Sequence, residues 1–141
     1  EYIDSYFAKY PGVKLYMEQT KEIAREKGFV ETLFGRRLYL PGIHSGRTRQ
    51  AAERAAINAP MQGTAADIMK IAMINIQDWL EKENIKAKMI LQVHDEVILE
   101  VATKEADSVA TKISEIMSKA ATLSVPLEVD SGIADNWGEA H

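Results

Sequence analysis

The chain has 141 residues, 46% of them hydrophobic and 27% charged, which fits one globular domain and excludes disordered and collagen-like classes. Cysteine is absent, so disulfide frameworks, thiolate metal sites and cysteine nucleophiles are excluded, and a reducing, cytoplasmic setting is expected. No apolar run approaches the roughly 20 residues that cross a bilayer, so no membrane partner is expected.

The formal net charge is −4, which taken whole argues against nucleic acid. The distribution argues the other way. Five of the six arginines, Arg36, Arg37, Arg47, Arg49 and Arg54, fall within residues 36–54, where Glu53 is the only acid. From Asp95 onward there are ten acids and three lysines. A concentrated arginine stripe attracts phosphate whatever the global sum, because the relevant field acts over about one Debye length. A solvated cationic loop has the same composition. The chain opens at Glu1 without a methionine, and it is expected to be a piece of something longer.

In chain order, Pro11 suits a first helical turn, where its missing N–H costs nothing. Val13, Tyr16, Met17, Ile23 and Ala24 recur at helical spacing up to Gly28, a C-terminal stop. Phe29–Phe34 and Arg37–Leu40 are β-rich runs separated by Gly35-Arg36, which predicts a hairpin. Pro41, Gly42, Ser45 and Gly46 mark a loop, and residues 47–57 read as helix. Pro60 predicts a break or kink, since the residue before it is pushed out of the α region. Ala65, Ile68, Met69, Ala72, Met73, Ile76, Trp79 and Leu80 then hold three- and four-residue spacing, a stripe that reads as core. Met89–Val93 and Val97–Val101 are apolar runs joined by His94-Asp95-Glu96, a tight antiparallel hairpin. A helix over about 104–121 and a last strand over 125–129 complete an α+β pattern, with an antiparallel sheet and hairpin packed on long helices.

Two constellations could carry chemistry. The first is His94-Asp95-Glu96 at the tip of two apolar strands. Adjacent carboxylates raise each other's pKa unless a cation lies between them, and hard divalent ions such as Mg²⁺ take one or two protein carboxylates with water and phosphate. An exposed polar turn is the bland alternative. A Ser-His-Asp reading fails because no Ser lies in a nucleophile-elbow context.

The second is Arg47, Gln50, Arg54, Asn58 and Gln62. Steps of three and four place the first four on one helix face, and Gln62 continues the line beyond Pro60. Arginine grips phosphate as a fork, while Asn and Gln can donate to the acceptors that every base pair shows in the minor groove. A wet helical face with Asn58 as a cap near Pro60 is the alternative. Gly63, Ala65 and Ala66 are small enough for close approach of another backbone, and close helix packing explains them equally well.

Three collinear segments make a family resemblance specific. Gly28–Pro41 (GFVETLFGRRLYLP) and Ala52–Asp67 (AERAAINAPMQGTAAD) resemble segments of bacterial family A DNA polymerases, and Gln92–Val97 (QVHDEV) is similar to that family's motif C. The likeness covers nearly the whole chain. It implies a C-terminal piece of such a polymerase, with residues 1–58 as fingers-side helices and hairpin. Residues 59–141 would be the palm portion, contiguous with it and without a linker.

By the same resemblance Asp95 is one of two aspartates holding the catalytic Mg²⁺ pair, Glu96 is the carboxylate assisting that site, and His94 lies near the primer terminus. Arg54, Asn58 and Gln62 contact primer-template DNA, with Gln62 probing the minor groove and Arg49 touching the backbone. The family's other metal-binding aspartate and the Lys/Arg/Tyr helix that grips the incoming nucleotide are not in this chain, which supplies half of the two-ion site. The expected function is therefore template-directed nucleotidyl transfer to a primer 3′ end within the parent, with dNTP as its other partner. The isolated chain is expected to be inactive and to self-associate. A non-catalytic DNA-binding or self-associating module is the alternative; an independent metal hydrolase lacks further ligands and a nucleophile.

Overall fold

The structure is a computed structural model that describes residues 1–140. Contacts divide the chain into two compact units, Glu1–Ala65 and the residues from Ala66 onward. No helix is long and apolar enough to cross a membrane among the described residues.

The first unit opens with α1 (Tyr2–Lys9), followed by α2 (Pro11–Lys27). Only the second was expected. Tyr2, Ile3, Tyr6 and Phe7 of α1 keep helical spacing behind a Glu1–Asp4 capping box, although none of its residues is buried. Pro11 stands in the first turn of α2, and Gly28 ends the helix in the left-handed region at φ 74°, where a Cβ would be strained. Its amide donates to the Ala24 carbonyl at 2.8 Å.

The expected hairpin follows as β1 (Phe29–Glu31) and β2 (Arg37–Tyr39), paired Val30 to Leu38. The link is longer than Gly35-Arg36 alone and runs from Thr32 to Arg36. The buried Thr32 organises it, because its Oγ1 accepts from the amides of Phe34 (3.3 Å) and Arg36 (3.2 Å). Val30, Leu40 and Ile43 close over Ala24 and Ala56 to make this unit's core.

α3 runs from Arg49 to Lys82 with Pro60 inside it. The break expected at Pro60 does not occur. Proline removes one helical hydrogen bond, but the path is held on both sides by tertiary contacts. Ala52, Ala56 and Ala59 pack on the core before it. After it, Arg36 Nη2 donates to the Gly63 carbonyl at 3.2 Å, and the Leu33 amide donates to Thr64 Oγ1 at 2.9 Å.

In the second unit, Ile76 and Leu80 of α3 are buried with Val109 and Ile113 of α4 (Ala106–Ser118), and Trp79, Met89 and Leu99 pack against them. Of the expected Ala65–Leu80 stripe, Ala72, Ile76 and Leu80 are buried, Ile68, Met69, Met73 and Trp79 are half-buried, and Ala65 is exposed. β3 (Ala87–Val93) and β4 (Glu96–Val101) form an antiparallel pair on this core. The register shifts by one between Met89 and Leu91, leaving Ile90 as the extra residue of a bulge. The link is two residues, not three: Glu96 belongs to β4 and pairs with Val93. α4 is shorter than the expected 104–121, with a 3₁₀ turn at Thr103–Glu105 before it. Residues 125–129 are not a strand; no pairing partner lies among the described residues, and a strand exists only through its ladder.

Candidate nucleic-acid face and carboxylate turn

Within the first unit, Gln50, Arg54, Asn58 and Gln62 are exposed along α3. Steps of four on a 3.6-residue helix drift by about 40° each, so the line winds gently while climbing about 6 Å per step. Arg47 does not share that face, because it sits in the turn before the helix starts at Arg49. The opposite, small-residue side of the helix is the buried one: Ala56 is fully covered and Gly63 meets the hairpin. Burying one side with alanine and glycine leaves the long polar side chains on the other.

The arginines divide by what they already hold. Arg49 Nε donates to Glu53 Oε1 at 3.0 Å, and Arg25 Nη2 reaches the same oxygen at 2.8 Å. These two bonds hold the Glu53 carboxyl below its ordinary value, with Arg25 the larger cause and Arg49 the next. Arg37 lies over the Phe29 ring at 4.5 Å and 3.5 Å from Glu31. Arg36 is tied to Gly63. Arg47 and Arg54 make no ion pair among the described residues and are exposed. Sequence reasoning missed Arg25, whose partner lies 28 residues away; the four-residue spacing of Arg49 and Glu53 was a readable signal for the other half.

In the second unit, His94 and Asp95 form the turn between β3 and β4. A two-residue hairpin turn favours a positive φ at its first position, and His94 takes φ 53°. Gln92 Nε2 donates to the His94 carbonyl at 2.7 Å, which pins the turn from the strand below. Asp95 is exposed and has no hydrogen-bond or ion-pair partner among the described residues, while Glu96 is half-buried at the head of β4. No group of three or more His, Cys, Asp or Glu residues able to hold a metal occurs among the described residues. The donor set is thus two hard carboxylates on adjacent residues, which fits one side of a shared Mg²⁺ site rather than a complete cage.

Residues 1–139 match the family described as DNA polymerase family A, and the chain belongs to it. The DNA polymerase I of Pseudomonas aeruginosa is 61% identical over 99% of this chain, and the thermostable DNA polymerase I of Thermus aquaticus is 46% identical over 96%. In each case the chain spans 16% of the relative's length. The POL domain of Pol1 from M. smegmatis, solved in complex with DNA primer-template and dNTP, is 41% identical with a TM-score of 0.94, over 98% of this chain and 25% of that one.

Proposed function

We propose that this chain is the fingers-side (1–58) and palm (59–141) part of a DNA-directed DNA polymerase of replication and repair, acting in the cytoplasm on primer-template DNA and dNTP. The observation that carries the reading is Asp95, an exposed and uncommitted carboxylate fixed on a two-residue turn in a family A chain. Asp95 and Glu96 would hold Mg²⁺ on one side. When bound, the ions lower the pKa of the primer 3′-OH and neutralise charge on the pyrophosphate leaving group.

The chain's own residues bind and orient. Arg54 grips backbone phosphate, and Arg49 makes a second backbone contact from the side of the helix that carries Glu53. Asn58 and Gln62 donate into the minor groove, where the acceptors are common to all pairs and report pairing rather than sequence. His94, on the same turn as Asp95, borders the primer terminus. Support comes from the exposure of all of these side chains and from the DNA and dNTP named for the M. smegmatis structure.

The surface supports a need for further protein. The chain exposes 10452 Å². Two separate compact units of half its 15.7 kDa would expose only about 8,800 Å² together. Tyr2 (88% exposed), Tyr39 and Leu33 are among the uncovered apolar residues. On this reading the 141 residues alone self-associate, and with only one side of the Mg²⁺ site they do not extend a primer.

The test is Asp95→Asn in the intact polymerase that carries this segment. It should abolish Mg²⁺-dependent primer extension while leaving primer-template affinity in place. Retained extension, or extension by the isolated chain, would refute the reading.

A further inference from the structure

Tyr16 is a side chain that no role above uses. It sits on α2, and its hydroxyl donates to the Ile57 carbonyl of α3 at 3.1 Å, across 41 residues of sequence. That carbonyl lies between Arg54 and Gln62 and one residue beyond Ala56, whose carbonyl loses its helical donor at Pro60. Tyr16 and Pro60 also line one shallow cavity of about 280 Å³, together with Thr20, Ile23 and Val30. A proline turn is where a helix bends and where outside donors reach the carbonyls of the preceding turn. Here the phenol supplies such a donor, and the helix stays continuous.

We infer that Tyr16 is a positioning residue: its hydroxyl latches the Pro60 turn of α3 and so fixes the direction in which Asn58 and Gln62 are offered to the minor groove. The inference rests on the DNA-face reading above. Asn58 follows the latched residue directly and Gln62 lies five residues beyond it, so both ride on the turn the latch holds. Without the latch the turn samples other bends, only a fraction of molecules present the aligned face, and apparent affinity falls by that fraction. The loss is bounded by one net hydrogen bond, about three- to tenfold. Tyr16 itself touches no phosphate, so the number of counterions released is unchanged.

The experiment is Tyr16→Phe in the intact polymerase, measured as primer-template Kd against salt concentration, alone and combined with Gln62→Ala. The expected result is a three- to tenfold weaker Kd with an unchanged salt slope. With Gln62→Ala already present the effect should shrink, because a misaligned groove contact no longer matters once it is gone. An unchanged Kd with a lowered Tm makes Tyr16 merely structural and overturns the proposal, as does a fully multiplicative double mutant. If Gln62→Ala and Arg54→Ala are silent as well, the DNA-face reading fails and takes the proposal with it. Silence in Tyr16→Phe alone overturns only the latch.

Discussion

Gly63→Ala separates helix propensity from tertiary packing, because the two predict opposite signs. In the interior of a helix, glycine to alanine gains about 1 kcal/mol. At this position the added Cβ would stand 2.7 Å from Thr32 Cγ2, 3.2 Å from Leu38 Cδ1 and 3.4 Å from Arg36 Nη2. Thr32 cannot turn its methyl aside cheaply, since its Oγ1 holds two amides of the hairpin link and the residue is 5% exposed. Overpacking of this kind costs about 1–3 kcal/mol. The net expectation is a loss of about 1 kcal/mol. In urea this is roughly 0.5 M off the midpoint for a slope near 2 kcal/mol/M, read on the 141-residue chain at a concentration below its association threshold. Thr32→Ser supplies the internal check. It removes Cγ2 and keeps the hydroxyl, so alone it should cost about 1 kcal/mol for the buried methyl. In the Gly63→Ala background the new Cβ fills the vacated space, and the double mutant should return close to wild type. A raised midpoint for Gly63→Ala, or strictly additive losses, would show that the hairpin does not clamp this turn.

Three further outcomes are expected. Light scattering on the isolated chain should show association that grows with concentration, and a clean monomer at high concentration would count against the surface argument. In the intact polymerase, Arg54→Ala should lower the slope of log affinity against log salt by about 0.9, one phosphate contact; Arg49→Ala should lower it less, because Glu53 already compensates that charge. Glu53 has a folded pKa below its ordinary 4.5, so its contribution to stability is complete above pH 4.5 and is lost as the pH falls through the folded value. Glu53→Gln should accordingly flatten the acid limb of the stability profile, and an unchanged acid limb would mean the two arginines are not holding the carboxylate in solution.

The parts of the fold that were legible in sequence are those with local causes. Pro11 and Gly28 bracket α2 because each acts on its own φ, and the later part of the Ala65–Leu80 period, at Ala72, Ile76 and Leu80, marks the side that is buried. Two of the failures are nonlocal. Pro60 reads as a break until the hairpin contacts at Gly63 and Thr64 are known. Val125–Val129 has strand composition but no pairing partner among the described residues. Glu96 looks like turn because it is charged, yet a two-residue link is enough once His94 adopts φ 53°, and that returns Glu96 to the ladder opposite Val93. α1 was missed although Tyr2, Ile3, Tyr6 and Phe7 recur at helical spacing and Glu1 forms a capping box with Asp4.

The same distinction explains why the two constellations differ in completeness. A face that reads duplex DNA needs only a helix with one side buried, and α3 has that from its own alanines, from Gly63 and from the hairpin against it. Its electrostatics are also set internally: Glu53 holds Arg25 and Arg49, so the arginine left without an ion pair on that face is Arg54, with Arg47 in the turn before the helix. A two-ion site cannot be assembled this way. Two carboxylates on consecutive strand-and-turn residues point from one backbone segment, whereas ions about 3.5–4 Å apart must be gripped from more than one strand. Asp95 is exposed with no partner among the described residues, and on the proposed reading that is the state required of a ligand whose counterpart comes from another segment of the polymerase. Burying it against a lysine would stabilise the hairpin and cancel the charge a metal needs. The rigidity that keeps it in place comes instead from neutral sources, the Gln92 bond to the turn and the apolar strands packed beneath it.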